Sequence, residues 1–542
     1  MKEGPRSVGD RDDRRSREPI FAWVCCVLVV GAYVLLLRTP PTNTEAAFDD
    51  AARALAGQGP DGGIAYFAAV QDNSLAFSQV IALLRRLGLA SFGLPVATLP
   101  SLIGIGIAIA VTRRMGTAAT TVSLRPSVLL ILLSNPLVMF LGTRSWPDAL
   151  ASGLVLIGVA AWHHSDRTAP PRPVVSTLVA VAAVAGCVLK PNLVTVLAAT
   201  LVVDVLRDAK SVSRRQAQIA AVLAAAVVAI AAWSVLLEAP RLMGAGVGME
   251  EASLLSRIIE YLRIEPLSFV VTLLRYHAYL SLLILPIAIT VVTFDSGEAS
   301  RWQPSPPALG AASLAGISYW FATRGRPTGE LDFGRLLSPR LTEMVETVGF
   351  ALGALLVARF VRSPRAKPAM ALWYVLEIVV IMHALVRPTQ RYLLPVLLLA
   401  TAALLATVAP AEPAHDTSTQ PRRRGARRAL RWAVCTGSLA WSAVGVGFVV
   451  SQGRASEALL RDARARGIVD VTDFGPVAVH LGYRASLGDG SCFEVVQDPS
   501  PMAGEDRSKD VTVVPMRLAG VLVRTYVLRS VPYAPSSCPR VP

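Results

Sequence analysis

The sequence predicts an all-α polytopic membrane protein with about 13 transmembrane helices and a small C-terminal extracytoplasmic α/β domain, and three observations lead there. Of 542 residues, 53% are hydrophobic and only 17% charged, a balance outside that of soluble globular domains. Apolar runs long enough for a hydrocarbon core of about 30 Å recur along the chain. Between them, lysine and arginine cluster in alternate loops, as cytoplasmic loops do. The net charge of +15 therefore reports topology: the arginines sit in short clusters between apolar runs and form no groove for nucleic acid, which is set aside as a partner.

Residues 1–19 form a basic, cytoplasmic segment with Arg11, Arg14, Arg15 and Arg17 ahead of the first apolar run, Ile20 to Leu37. That run is a retained anchor, because Arg38, Thr39, Pro40 and Pro41 follow it where a signal peptide has its small-residue cleavage site. A large outer loop, 38–93, leads to further runs at roughly 94–112, 126–143, 147–162, 174–189, 191–206, 217–237, 272–294, 308–323, 345–361, 369–386, 393–409 and 432–450. With the N-terminus inside, the inner loops hold Arg113, Arg114 and Arg125, then Arg207, Lys210, Arg214 and Arg215, then Arg362, Arg365 and Lys367, then the cluster Arg422 to Arg431. Acids collect on the other side, including Glu45, Asp49, Asp50, Glu250 and Glu251. The membrane domain thus covers 20–450 of a multi-pass plasma-membrane protein.

An odd number of spans leaves 451–542 extracytoplasmic. This tail carries one helical stretch around Ser456 to Arg466 and then short β-runs such as Val477 to Leu481, Cys492 to Val496 and Val521 to Leu528. About ninety residues bury only a modest core, so a Cys492–Cys538 disulfide is a candidate staple on that side of the membrane. Cys25, Cys26, Cys187 and Cys435 lie in apolar runs and read as packing residues.

Chemistry-bearing residues concentrate at the outer ends of spans. In "TNTEAAFDDAARALAGQG", Arg53 lies four residues after Asp49 on a helix. Asp49 and Asp50 are either a solvated face or a general base at the membrane surface, where apolar surroundings raise a carboxyl pKa. The stretch around Arg85 and Arg86 reads as an interfacial amphipathic helix with both arginines toward headgroups. In "LGTRSWPDALASGL", Pro147 and Asp148 suit a helix N-terminus and Trp146 an interface; alternatively Arg144 and Asp148 face a cavity shared with Asp49 and Asp50. Lys190 in "CVLKPNLV" either snorkels or serves a site. In "HALVRPTQRYLLPVLLL", Arg387 and Arg391, four residues apart with Tyr392 beside the second, either anchor the span or clamp a phosphate. His277 in "LLRYHAYL" reads as a packed or interfacial histidine. The six histidines form no metal motif, and neither a phosphate loop nor a nucleophile elbow is present.

Together, "FDD" in the first outer loop, the amphipathic stretch after it, "TRSWPDAL", "LKPN" and "RPTQRYLLPVLLL" resemble the GT-C class of membrane glycosyltransferases over roughly residues 20 to 410. The branch in question includes protein O-mannosyltransferases and lipid A aminoarabinose transferases. It departs from many relatives in reading "QDNSLAF" where they carry a His-Pro-Pro-Leu type stretch. The resemblance implies transfer of a sugar from a polyprenyl-phosphate carrier, in a membrane-lipid setting, to a glycan, lipid or protein acceptor of the cell envelope. It implies Asp49 or Asp50 as base, Asp148 as a second acid, and Lys190, Arg387 and Arg391 at the carrier phosphate, with Tyr392 and Arg144 nearby. One-step displacement inverts the anomeric centre and needs no nucleotide cofactor; a divalent ion is left open. A transporter or flippase of lipid-linked sugars, or a non-catalytic scaffold, are the competing expectations.

Overall fold

A computed structural model of the chain describes residues 9–39, 45–58, 64, 67, 74–92, 95–117, 126–165, 173–207, 213–244, 266–294, 305–324, 339–362, 366–386, 390–407, 421–465, 484–486, 492–498, 510–518 and 521–531. The described parts of the apolar runs expected to cross the membrane lie mostly on helices. In chain order these are α1 (Gly9–Arg38), α2 (Glu45–Leu55), α3 (Ala76–Arg86), α4 (Leu99–Thr117), α5 (Pro126–Leu133), α6 (Pro136–Thr143), α7 (Pro147–Ser165), α8 (Pro173–Leu189), α9 (Val194–Arg207) and α10 (Arg214–Trp233). A π-helical turn, Ser234–Glu238, leads to α11 (Ala239–Gly244). Then follow α12 (Pro266–Phe294), α13 (Pro306–Thr323), α14 (Pro339–Arg362), α15 (Ala366–Val386), α16 (Leu393–Ala406) and α17 (Pro421–Ala465).

Among the described residues, five helical stretches are long and apolar enough to cross a membrane: Leu99–Gly116, Arg214–Arg241, Leu267–Val291, Arg340–Ala358 and Trp432–Ala455. A sixth candidate, α6 with α7, is bent by 107°. Four shorter apolar helices, among them Ala369–Leu385 and Leu393–Ala406, complete the bundle. The run at 126–143 is two helices because Pro136 cannot donate to the turn before it. Asn135 caps the second piece, accepting from Leu137 N at 3.1 Å while its Nδ2 donates to Leu283 O at 3.0 Å.

Every residue of α16 is buried, with α4, α7, α12 and α15 packed around it. Small residues let α4 and α7 approach closely: a Cβ at Gly104 would fall 2.3 Å from Leu150 Cα, and one at Gly153 would fall 2.7 Å from Gly104 O. This contact fixes the height of α7, whose first turn carries Asp148.

The helical stretch of the tail is not a separate element. It is the end of α17, which runs unbroken from Pro421 to Ala465 and makes the last apolar run and the tail one rod. Beyond it lies an antiparallel sheet of β1 (Arg484–Ser486), β2 (Cys492–Asp498), β3 (Asp510–Leu518) and β4 (Val521–Val531), ordered β1-β2-β4-β3. Pro515 sits in β3 because that strand is an edge, where a missing donor is tolerated. The run Val477 to Leu481 and Cys538 lie outside the described residues, so the Cys492–Cys538 expectation does too.

Candidate functional site

Four segments far apart in sequence meet at one end of the bundle. The first is α2, whose apolar face is pinned by Phe48. That ring makes edge contacts with Phe67, Phe77 and Trp146 at centroid distances of 5.2, 5.5 and 5.6 Å. Helical spacing then places Asp49 against Arg53, whose Nε and Nη2 donate to Asp49 Oδ2 at 3.1 and 2.9 Å. Arg85 at the end of α3 donates to Asp49 Oδ1 at 2.5 Å, and Arg86 donates to Leu55 O at 2.5 Å. The two arginines expected at lipid headgroups therefore clamp α3 onto α2. At its other end α3 is held by Glu238, which accepts from Ser74 Oγ and Leu75 N, both at 2.6 Å, and from Trp233 Nε1 at 2.9 Å.

The two aspartates consequently differ. Both oxygens of Asp49 are taken by guanidinium groups, whereas Asp50 Oδ2 is buried without a hydrogen-bond partner among the described residues. Burial, reinforced by the Asp49 charge and only partly opposed by Arg53 and Arg85, pushes the Asp50 carboxyl up to about 7.

The second segment is the tight connection between α6 and α7. Arg144 is buried, and its Nη1 donates to Thr39 O at 3.0 Å and Leu36 O at 3.4 Å, the carbonyls that end α1. Ser101 Oγ holds Trp146 O at 2.8 Å. Pro147 opens α7 and Asp148 follows in its first turn, where the helix dipole favours an acid.

The third segment is Lys190. The proline after it drives Lys190 out of helical geometry, to φ −145° and ψ 90°, and so ends α8. Its side chain turns toward α7 and reaches Asp148 Oδ1 at 3.6 Å, with the two side chains only 2% and 4% exposed. That is an ion pair longer than a hydrogen bond. The fourth segment is the 3₁₀ turn Gln390–Tyr392. Tyr392 places its ring 5.2 Å from Lys190 Nζ, and Arg391 stacks its guanidinium 3.6 Å over the Trp146 ring. Arg387, expected beside Arg391, lies outside the described residues.

The chain matches no protein-family model and no curated protein. Its structure is similar to that of ArnT. The comparison is with the crystal structure of ArnT from Cupriavidus metallidurans in the apo state, at 14% identity over 82% of this chain and 81% of that chain, with a TM-score of 0.33.

Sequence reasoning missed several groups that complete the cluster. His383 is buried; its Nδ1 donates to Tyr392 O at 3.2 Å and its Nε2 lies 3.2 Å from Thr195 Oγ1, which ties the Gln390–Tyr392 turn to α9. Asn192, two residues after Lys190, has both amide atoms buried without a partner among the described residues, and Ser152 Oγ, Trp146 Nε1 and Asp148 Oδ2 share that condition. The "KPN" spacing held the only local signal for Asn192. Among the described residues no three His, Cys, Asp or Glu side chains group to hold a metal ion.

Proposed function

We propose that this protein transfers a sugar from a polyprenyl-phosphate carrier to a cell-envelope acceptor at the outer face of the plasma membrane. The reaction is an inverting displacement with Asp50 as general base. The reading is supported by the packing of Phe48, the neighbour of Asp49, and of Arg391 on Trp146, beside the Asp148–Lys190 pair and the Tyr392 ring.

Asp50 suits the base because its carboxyl has a free oxygen and a raised pKa, while Asp49, locked between Arg53 and Arg85, positions the helix that carries it. In the reaction the acceptor hydroxyl gives its proton to Asp50 as its oxygen bonds to the anomeric carbon. The bond from that carbon to the phosphate oxygen breaks, and its electron pair stays on the leaving polyprenyl phosphate. Lys190 and Arg391 offset that charge, each held against an aromatic ring. Asp148 orients Lys190, and its second oxygen stays available to the sugar.

The test is sugar transfer from the membrane lipid pool to endogenous acceptor. Asp50→Asn is expected to lower the rate about 10²–10⁴-fold, the range for loss of a positioned base. Full activity in Asp49→Asn, Asp50→Asn and the double variant rejects the assignment.

A further inference from the structure

A second polar feature stands apart from this site, midway along the spans. Glu377 is the central residue of the apolar stretch Ala369–Leu385 on α15, and His277 lies well inside the stretch Leu267–Val291 on α12. Their Nε2 and Oε2 atoms are 2.8 Å apart. His277 Nδ1 lies 2.8 Å from Leu273 O. A carbonyl only accepts, so Nδ1 carries a hydrogen, and the Nε2–Oε2 contact needs one more. Whether that proton sits on nitrogen or oxygen, the pair is neutral overall, and Glu377 keeps Oε1 as a spare acceptor.

The pair is not sealed. At this depth, where ionisable groups are normally enclosed, the two side chains remain 30% and 29% exposed. They open onto a cavity of about 340 Å³ between α12, α14, α15 and α16, whose other walls include Ile284, Val357, Phe360, Trp373 and Leu404. Ser281 also lines it, but its Oγ donates to His277 O at 2.6 Å. Hydrocarbon tails alone leave Glu377 Oε1 without a donor, which is unfavourable for an acceptor at this depth. An anionic headgroup meets a carboxylate, and an ammonium finds no net charge to pair with. The complementary occupant has an apolar body and one hydrogen-bond donor.

We propose that the cavity bounded by His277 and Glu377 binds a lipid alcohol, with the hydroxyl donating to Glu377 and the hydrocarbon filling the space between α12, α14, α15 and α16. This site is independent of the transfer chemistry assigned above.

The test uses the purified full-length protein and a long-chain primary alcohol bearing a diazirine, with crosslinked peptides mapped by mass spectrometry. Labelling is expected on the cavity walls of α12 and α14. Hexadecanol should compete, and its methyl ether, which cannot donate, should compete about tenfold less well. That comparison needs only the wild-type chain. Glu377→Gln keeps an acceptor and is expected to label within about threefold of wild type, whereas Glu377→Leu loses about tenfold. Ala354→Phe, which fills the cavity, should abolish labelling there. Equal competition by alcohol and ether, unchanged labelling in Glu377→Leu, or no crosslink on these walls overturns the proposal.

Discussion

Two of the acid–cation pairs among the described residues, Glu346–Arg275 and Asp148–Lys190, have both side chains almost wholly buried and are built differently. Glu346 on α14 accepts from Tyr279 Oη and, at 2.7 Å, from Tyr319 Oη, with Arg275 Nε 3.5 Å away. Both of its oxygens are satisfied, and the network ties α12, α13 and α14 together. Asp148 pairs with Lys190 at 3.6 Å, and its Oδ2, like polar atoms of Ser152, Asn192 and Trp146 nearby, is buried without a hydrogen-bond partner among the described residues. Burying a charge is costly unless hydrogen bonds satisfy it. In the first cluster both carboxylate oxygens are satisfied and the leftover atom is Arg275 Nε; in the second the carboxylate itself keeps an open oxygen, the one the proposed function offers to the sugar.

The sharpest way to break that contrast is to remove the Asp148–Lys190 pair whole. Asp148→Asn with Lys190→Met deletes both charges at nearly constant volume. Because replacing a buried ion pair is often neutral or stabilising, the thermal midpoint in detergent should hold or rise, while sugar transfer falls about 10²–10⁴-fold. A midpoint that collapses together with activity places this pair in the same structural class as Glu346.

The converse change is Glu346→Ala. It removes the carboxylate that accepts from Tyr279 and Tyr319 and pairs with Arg275, and breaking one side of a buried pair costs about 3–5 kcal/mol. The thermal midpoint should drop markedly, while transfer per folded molecule stays within about tenfold of wild type, the equivalent of 1.4 kcal/mol.

What the sequence disclosed follows from how locally each feature is encoded. Apolar runs and prolines are local signals, so the helices, the start of α7 at Pro147 and the break at Lys190 could be read directly. The Glu346 network could not, because Tyr279, Tyr319 and Glu346 are single polar residues in separate spans. His277 reads from sequence as a packed or interfacial histidine, because its partner Glu377 is a hundred residues away. Arg85 and Arg86 fit an interfacial helix equally well until α2 was in place to receive them. β3 escaped notice because Pro515 interrupts its pattern, and only edge position makes that proline acceptable.

The pair of aspartates on α2 repeats the contrast in miniature, and pH separates them. As a base Asp50 works ionised, so kcat/KM should climb with pH and level off above about 7. Asp49→Asn removes a repelling charge and should move that limb to lower pH; Arg85→Ala removes an attracting one and should move it higher. The linkage sign is the reverse of the usual carboxylate. With its folded pKa raised, the folded chain retains a proton the unfolded chain has released, so Asp50 makes the fold lose stability as pH rises from the ordinary aspartate range through about 7. Limbs that move together, or not at all, remove Asp50 from the chemistry.

The smallest effect belongs to the ring behind Lys190. A cation over an aromatic face contributes about 0.5–1 kcal/mol at least, more when desolvated, or two- to fivefold and upward in an equilibrium. If Tyr392 serves Lys190 by its ring, Tyr392→Phe should leave transfer close to wild type, whereas Tyr392→Leu should raise the apparent KM for the lipid donor at least two- to fivefold with little change in kcat. If Phe proves as harmful as Leu, the hydroxyl is the working group, and Tyr392 then acts on a ligand directly and not through the lysine. Either result bears on the opening comparison, because it decides whether Lys190 is oriented by a ring and a distant carboxylate or needs the ligand itself to fix its ammonium.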